Sequence, residues 1–89
     1  MRRDDPAGMD RMREWLRLVA AELGLDPEAV LEHEEVLLAM VAAVAHGPSR
    51  PGAPLSAFLV GVAVGRGASA SEVARRVTAL AREHRRPGP

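Results

Sequence analysis

Residues 45–66 read AHGPSRPGAPLSAFLVGVAVGR, and the chain changes character three times inside this stretch. An apolar run ends at His46, a Pro/Gly loop carries Arg50 as its one charge, and a second apolar run opens at Pro54 and contains Gly61 and Gly65. Pro48 and Pro51 each fix φ and remove a backbone donor, so the loop reads as an ordered elbow between two buried helices. The two apolar runs, 36–45 and 55–64, are each about half the roughly 20 residues that cross a bilayer. They read as core helices of a soluble protein, with no membrane segment expected.

Working outward, Met9, Met12, Trp15, Leu16, Val19 and Leu23 recur at spacings of three and four and predict a helix over 9–23 anchored by Trp15. Gly24 is a natural left-handed terminator, and Asp26-Pro27 is an N-cap followed by proline at the first helical position. A second helix is expected over 27–46. Its first third is acidic, with Glu28, Glu32, Glu34 and Glu35, and the rest is apolar, so one end is solvated and the other buried. An alternative is a short break between residues 31 and 34. A third helix is expected over 54–66, with Leu55, Phe58, Leu59 and Val62 as its large apolar stripe and Ala57, Gly61 and Gly65 as a small one.

Glycine inside a helix costs roughly 1 kcal/mol relative to alanine, so two of them at four-residue spacing need a reason. One reading is close approach of a neighbouring helix of the same chain; another is a homodimer seam or a docked partner helix. Ser69 and Glu72 form a capping box that opens a fourth helix over 70–86, with Val73, Val77, Leu80 and Ala81 on its apolar face and Arg75, Arg76, Arg82, Arg85 and Arg86 on the other. Nothing alternates with period two. The expected fold is all-α, about four helices in a small bundle or orthogonal array. The expected organisation is a flexible leader over 1–8, a single helical domain over 9–86 and a disordered tail over 87–89.

The 89 residues contain no cysteine, which excludes a disulfide framework, a thiolate nucleophile and a cysteine zinc site. No apolar stretch follows Arg2 and Arg3 that could serve as a secretory signal, and a cytoplasmic location is expected. Net charge is zero but uneven: residues 1–45 hold five Arg against ten Asp and Glu, and residues 46–89 hold seven Arg against two Glu. Complementary halves of this kind attract each other within a molecule or present opposite faces to a partner. All twelve basic residues are Arg, which together with abundant Ala resembles the bias of a GC-rich genome.

His33-Glu34 begins like a zinc-protease helix motif, but the residue four beyond His33 is Leu37 and the motif fails. Glu28, Glu32 and Glu35 on a continuous helix share a face near His33, a pattern that fits a solvated acidic helix start better than a metal site. No nucleophile elbow, phosphate loop or dinucleotide fingerprint is present, and neither an enzymatic activity nor a cofactor is expected. The elbow remains as the candidate site. His46, Arg50 and Ser56, with the free N–H groups of the following helix start, could hold an anion or a partner. The competing reading makes them structural: His46 caps the helix before the elbow and Arg50 locks the loop through its carbonyls.

Ala45-His46, Arg50-Pro51, Ala53-Pro54-Leu55, Phe58-Leu59 and Gly61, preceded by Trp15-Leu16, resemble a family of small uncharacterised actinobacterial helical domains. These occur alone or attached to molybdenum cofactor guanylyltransferases, the enzymes that add a nucleotide to molybdopterin. The resemblance spans about residues 12–85 and is most specific over 45–61. The sequence departs from the family pattern at Gly47 and Gly52, and at Ser56-Ala57 where two threonines are usual. The resemblance implies a non-catalytic accessory module with a guanylyltransferase as partner, and singles out His46, Arg50 and Phe58. A self-associating structural or regulatory protein, with Ala57, Gly61 and Gly65 as its seam, is the alternative.

The arginine-rich segment 72–86 is the one candidate for nucleic acid, since clustered Arg can neutralise phosphates. Base stacking has nothing to use, because Trp15 and Phe58, the two aromatic residues, both lie on apolar stripes. The sequence therefore predicts negligible affinity for DNA or RNA near physiological salt. Fluorescence anisotropy of a random oligonucleotide should stay flat to micromolar protein, and a salt-sensitive submicromolar transition would overturn this.

Overall fold

The computed structural model describes residues 5–85. Among them are five helices and no strand: α1 (Pro6–Leu23), α2 (Glu28–Leu31), α3 (Glu34–Ala45), α4 (Gly52–Gly65) and α5 (Ala70–Glu83). The all-α class read from the sequence is observed. The chain divides into two compact units, Met1–Glu32 and His33–Pro89.

In the first unit, α1 begins three residues earlier than its periodicity suggests. The Asp5 carboxylate accepts the N–H of Gly8 at 3.1 Å and Pro6 occupies the first turn, so residues expected in the leader form a cap and a helix start. Residues 1–4 of that leader lie outside the described residues. The helix ends where expected. Gly24 adopts φ 69°, and the N–H of Leu25 reaches back to the carbonyl of Ala20 at 2.8 Å, a left-handed closure that glycine makes without steric cost. Trp15 is not the anchor of α1: it is 62% exposed, at the edge of the stripe, while Met9, Met12, Leu16 and Val19 are half-buried and Ala20 is buried.

The expected single helix over 27–46 is interrupted. The α2 turn opens with the Asp26 carboxylate accepting the N–H of Glu28 at 3.0 Å and closes at Glu32, and His33 leaves helical geometry at φ −119°, ψ 16°. Glu28 and Glu32 keep their helical spacing, the Glu32 N–H reaching the Glu28 carbonyl at 3.3 Å, whereas an uninterrupted helix would also bring Glu35 onto the Glu32 face, adding a like charge. Restarting at Glu34 instead puts Glu34 and Glu35 in a new first turn, against the positive end of the α3 dipole. The register that would have aligned Glu28, Glu32 and Glu35 is lost with the break.

The second unit is three helices on one core. Met40 of α3 is fully buried and packs with Val60 of α4 and Ala74 of α5; Val36, Leu37, Val41, Ala57, Val64, Val73 and Val77 surround them. Further along, Val44, Ala53 and Ala81 form a second cluster that shares Val41 and Val77 with the first. These pairings make α3 and α4 antiparallel, and α3 and α5 parallel. At the start of the latter pair the His33 ring nitrogen Nδ1 lies 3.4 Å from Ser71 Oγ. α5 opens as the sequence predicts, Ser69 Oγ accepting the N–H of Glu72 at 3.3 Å. Its helical residues end at Glu83, three short of the expected end; Arg86 and the tail lie outside the described residues.

α4 is the helix whose orientation departs most from the sequence reading. Its inward face is Ala53, Ala57, Val60 and Val64, at spacings of four, three and four. The stripe of larger residues read from the sequence points the other way: Leu55, Phe58 and Leu59 are each about two-thirds exposed. Small residues go inward because Met40 fills the space between the helices, and alanine lets the backbones approach around it. No helix among the described residues is long and apolar enough to cross a membrane.

Truncating the central residue should therefore cost far more than truncating the outward stripe. Met40→Ala is expected to lower unfolding free energy by about 3 kcal/mol, and Leu59→Ala by less than about 0.5 kcal/mol. Urea titrations followed by circular dichroism measure both, and comparable losses would contradict this core.

Candidate functional site

The elbow joining α3 to α4 is built by Ser49. Its N–H donates to the carbonyl of Val44 at 3.1 Å, tying the loop to the end of α3, and its Oγ accepts the N–H of Gly52 at 3.0 Å, capping α4. The Ala53 N–H closes the turn on the Arg50 carbonyl at 3.2 Å. One serine thus performs the locking that sequence reading divided between His46 and Arg50. Those two side chains are exposed, and among the described residues neither has a hydrogen-bond or ion-pair partner. His46 does terminate α3, but through its backbone N–H to the Ala42 carbonyl at 2.9 Å. The signal for Ser49 was available in the sequence, since Ser three residues before a helix-opening Gly is a side-chain cap in register.

The candidate residues of the elbow do not converge on one site. His46 lines a cavity of about 200 Å³ with Ala43, Gly47, Arg82 and Arg85. Ser56, half-buried, lines a separate apolar groove of about 400 Å³ with Val44, Pro48, Val77, Leu80, Ala81 and His84. Arg50 lines neither. Phe58 is on the outward face of α4, 69% exposed. The anion site expected from His46, Arg50 and Ser56 together is therefore not assembled. The helix start that was to supply N–H donors has one of them, on Gly52, already held by Ser49.

The small-residue stripe separates as well. Ala57 packs into the Met40 cluster, whereas a Cβ built on Gly61 or Gly65 would meet nothing within 4 Å. Close approach of a neighbouring helix within their own unit is thus not what the two glycines serve. A step of four residues turns a helix about 40° past a full circle, so Ala57, Gly61 and Gly65 drift from the inward face to the flank of the outward one.

That outward face is one of the exposed apolar stretches of the surface. Leu55, Phe58, Leu59 and Val62 lie at spacings of three, one and three, and Arg66, four further on, ends the same stripe. From residue 36 to residue 71 the charged residues are Arg50 and Arg66 alone. The face is apolar, bordered by glycines on one side and by arginine at its end, with no carboxylate on its helix. Sequence periodicity found these residues and assigned them to the interior; the surplus of apolar positions on α4, too many for one buried face, was the signal that pointed outward.

Among the described residues no three His, Asp or Glu side chains come together as metal ligands. Chain comparison identifies the family: the protein belongs to the family described as a domain of unknown function, DUF6457, whose profile matches residues 7–89. No curated protein and no solved structure gives a match.

The division of labour in the elbow is measurable. Ser49→Ala should cost about 1 kcal/mol as a lost cap, while His46→Ala and Arg50→Ala should each stay within about 0.5 kcal/mol of the parent, as exposed substitutions do. Thermal unfolding of the three variants checks this; a large loss for Arg50→Ala would restore it as the lock.

Proposed function

We propose that this member of the domain family is a non-catalytic helical interaction module, and that the outward apolar face of α4 is the surface by which it docks on a partner protein. The observation that carries this reading is the exposure of Leu55, Phe58 and Leu59 at 67–69% on one helix face. Fully burying one such side chain is worth roughly 1.5–3 kcal/mol, so covering three represents a gross gain of several kcal/mol. Contiguous apolar faces of this kind, with polar or charged borders, mark protein interaction sites. Gly61 and Gly65 at its flank let a second helix approach closely.

The charge pattern selects the kind of partner. If two copies packed α4 on α4, a two-fold axis would bring Arg66 of one copy beside either Arg66 or the Arg50 end of the other, with no carboxylate on the helix to offset them. Like charges so placed disfavour self-association. A partner that presents an apolar groove with Asp or Glu at its rim fits the same face without that conflict. We assign this role to a molybdenum cofactor guanylyltransferase in the actinobacterial cytoplasm, the partner that the resemblance over residues 45–61 implies, with this chain as an accessory to cofactor synthesis.

The test is isothermal titration of the protein into the guanylyltransferase of the same organism, together with light scattering of each alone. The chain is expected to be monomeric at micromolar concentration and to bind, and Phe58→Glu should weaken binding by about a hundredfold or more, the effect of a buried hot-spot aromatic. Leu80→Glu, an exposed apolar position on α5, should leave it unchanged. A dimer that Phe58→Glu dissociates would replace this reading with self-association, and the absence of both binding and dimer would remove it.

A further inference from the structure

The cavity where α3 and α5 end belongs to neither the docking face nor the elbow lock, and its lining is of one charge. Arg82 in the last turn of α5 and Arg85, two residues past its end, share it with His46, the residue that ends α3. Because α3 and α5 run parallel, both helix C-termini reach the same corner. Gly47 makes this possible: a Cβ there would lie 2.6 Å from the Ala43 carbonyl oxygen and 3.3 Å from that of Ala81. The same built position lies 3.5 Å from Arg85 Cγ, so the Arg85 stem rests on the bare backbone of Gly47 and its guanidinium starts from a defined place.

The electrostatics of the corner have a clear sign. Two helix C-termini bring about −0.5 elementary charge each, which two permanently charged guanidinium groups exceed by about one unit. Among the described residues neither arginine makes an ion pair, and Glu83, between them in sequence, does not line the cavity. Two planar forks and an imidazole arriving from two helices suit a tetrahedral oxyanion better than a flat carboxylate, which has only two oxygens to share among them. At roughly 30 Å³ per water, a space of about 200 Å³ takes a phosphate group with a few waters around it.

We propose that His46, Arg82 and Arg85 form a binding site for a phosphate group, either the free ion or the monoester of a small molecule. Each guanidinium donates N–H bonds to phosphate oxygens, and His46 supplies a third donor from the α3 side. The site stands apart from the α4 docking face, and its test does not involve the guanylyltransferase.

The experiment is a titration of the ¹⁵N-labelled full chain with inorganic phosphate, and separately with phenyl phosphate, against sodium chloride at matched ionic strength. Saturable amide shifts at Gly47 and Arg85 are expected with phosphate and not with chloride. Arg82→Gln/Arg85→Gln should raise the dissociation constant by about tenfold or more. Arg75→Gln/Arg76→Gln, which removes the same charge from elsewhere on α5, should change it by less than about twofold. Tighter binding of phenyl phosphate identifies a phosphorylated molecule as the ligand, and tighter binding of inorganic phosphate identifies the ion. Linear shifts, or equal weakening by the two double variants, would overturn the site, because either result means diffuse attraction to a basic helix. His46→Asn, an exposed change, provides a further check: unaltered affinity would exclude the imidazole from the site.

Discussion

Met40 sits between three helices with no contact to solvent, and the arrangement of the second unit follows from how that one side chain is enclosed. Val60 closes it from α4 and Ala74 from α5, and the surrounding positions on those helices are alanine or valine. An unbranched thioether adapts to an irregular space, and small neighbours let backbones approach until the space is filled. α3 must therefore be apolar on nearly all sides along its second half. α5 can be thin, with Ala70, Ala74 and Ala81 buried. α4 must turn its small residues inward, and that choice sends its larger residues to the surface.

The consequence is a domain in which one face of α4 is buried in the core and the opposite apolar face is exposed. The inward face of α4 carries alanine and valine and is fully employed; the outward face carries Leu55, Phe58 and Leu59 and has no counterpart in its own unit. A helix apolar all round belongs in the interior of something larger than three helices, which is the ground for the docking role proposed for α4. The arginines at the far corner follow another logic. Their positions are set by the parallel run of α3 and α5 and by the absence of a side chain at Gly47, not by the apolar pattern.

Helix ends were legible because capping is local chemistry. Gly24, Asp26-Pro27 and Ser69 with Glu72 each stop or start a helix through bonds within a few residues, and each does so in the structure. The break at Glu32-His33 was legible only as an alternative to a single helix, since no Gly or Pro marks it and each residue there tolerates a helix; the restart at Glu34 places Glu34 and Glu35 at the positive end of the α3 dipole. Trp15 shows the limit of periodicity. It lies at the margin of its stripe, where spacing alone does not separate a buried aromatic from an exposed one. At the elbow, attention to His and Arg as chemical groups hid the smaller Ser49, whose register relative to Gly52 defines the turn.

By itself the sequence determined the all-helical class, the helix signals at Gly24, Asp26-Pro27 and Ser69, and the elbow between the two apolar helices, because all of these depend on residues near one another along the chain. Only the tertiary structure decided which face of α4 is inside, since a helix with apolar residues on every side has no polar face to declare its orientation and the volume of Met40 makes the choice. It alone also brought His46 to Arg82 and Arg85 and parted it from Arg50 and Ser56. That grouping depends on two helices ending at the same corner, and the direction in which distant helices run is set by how their side chains fill the space between them.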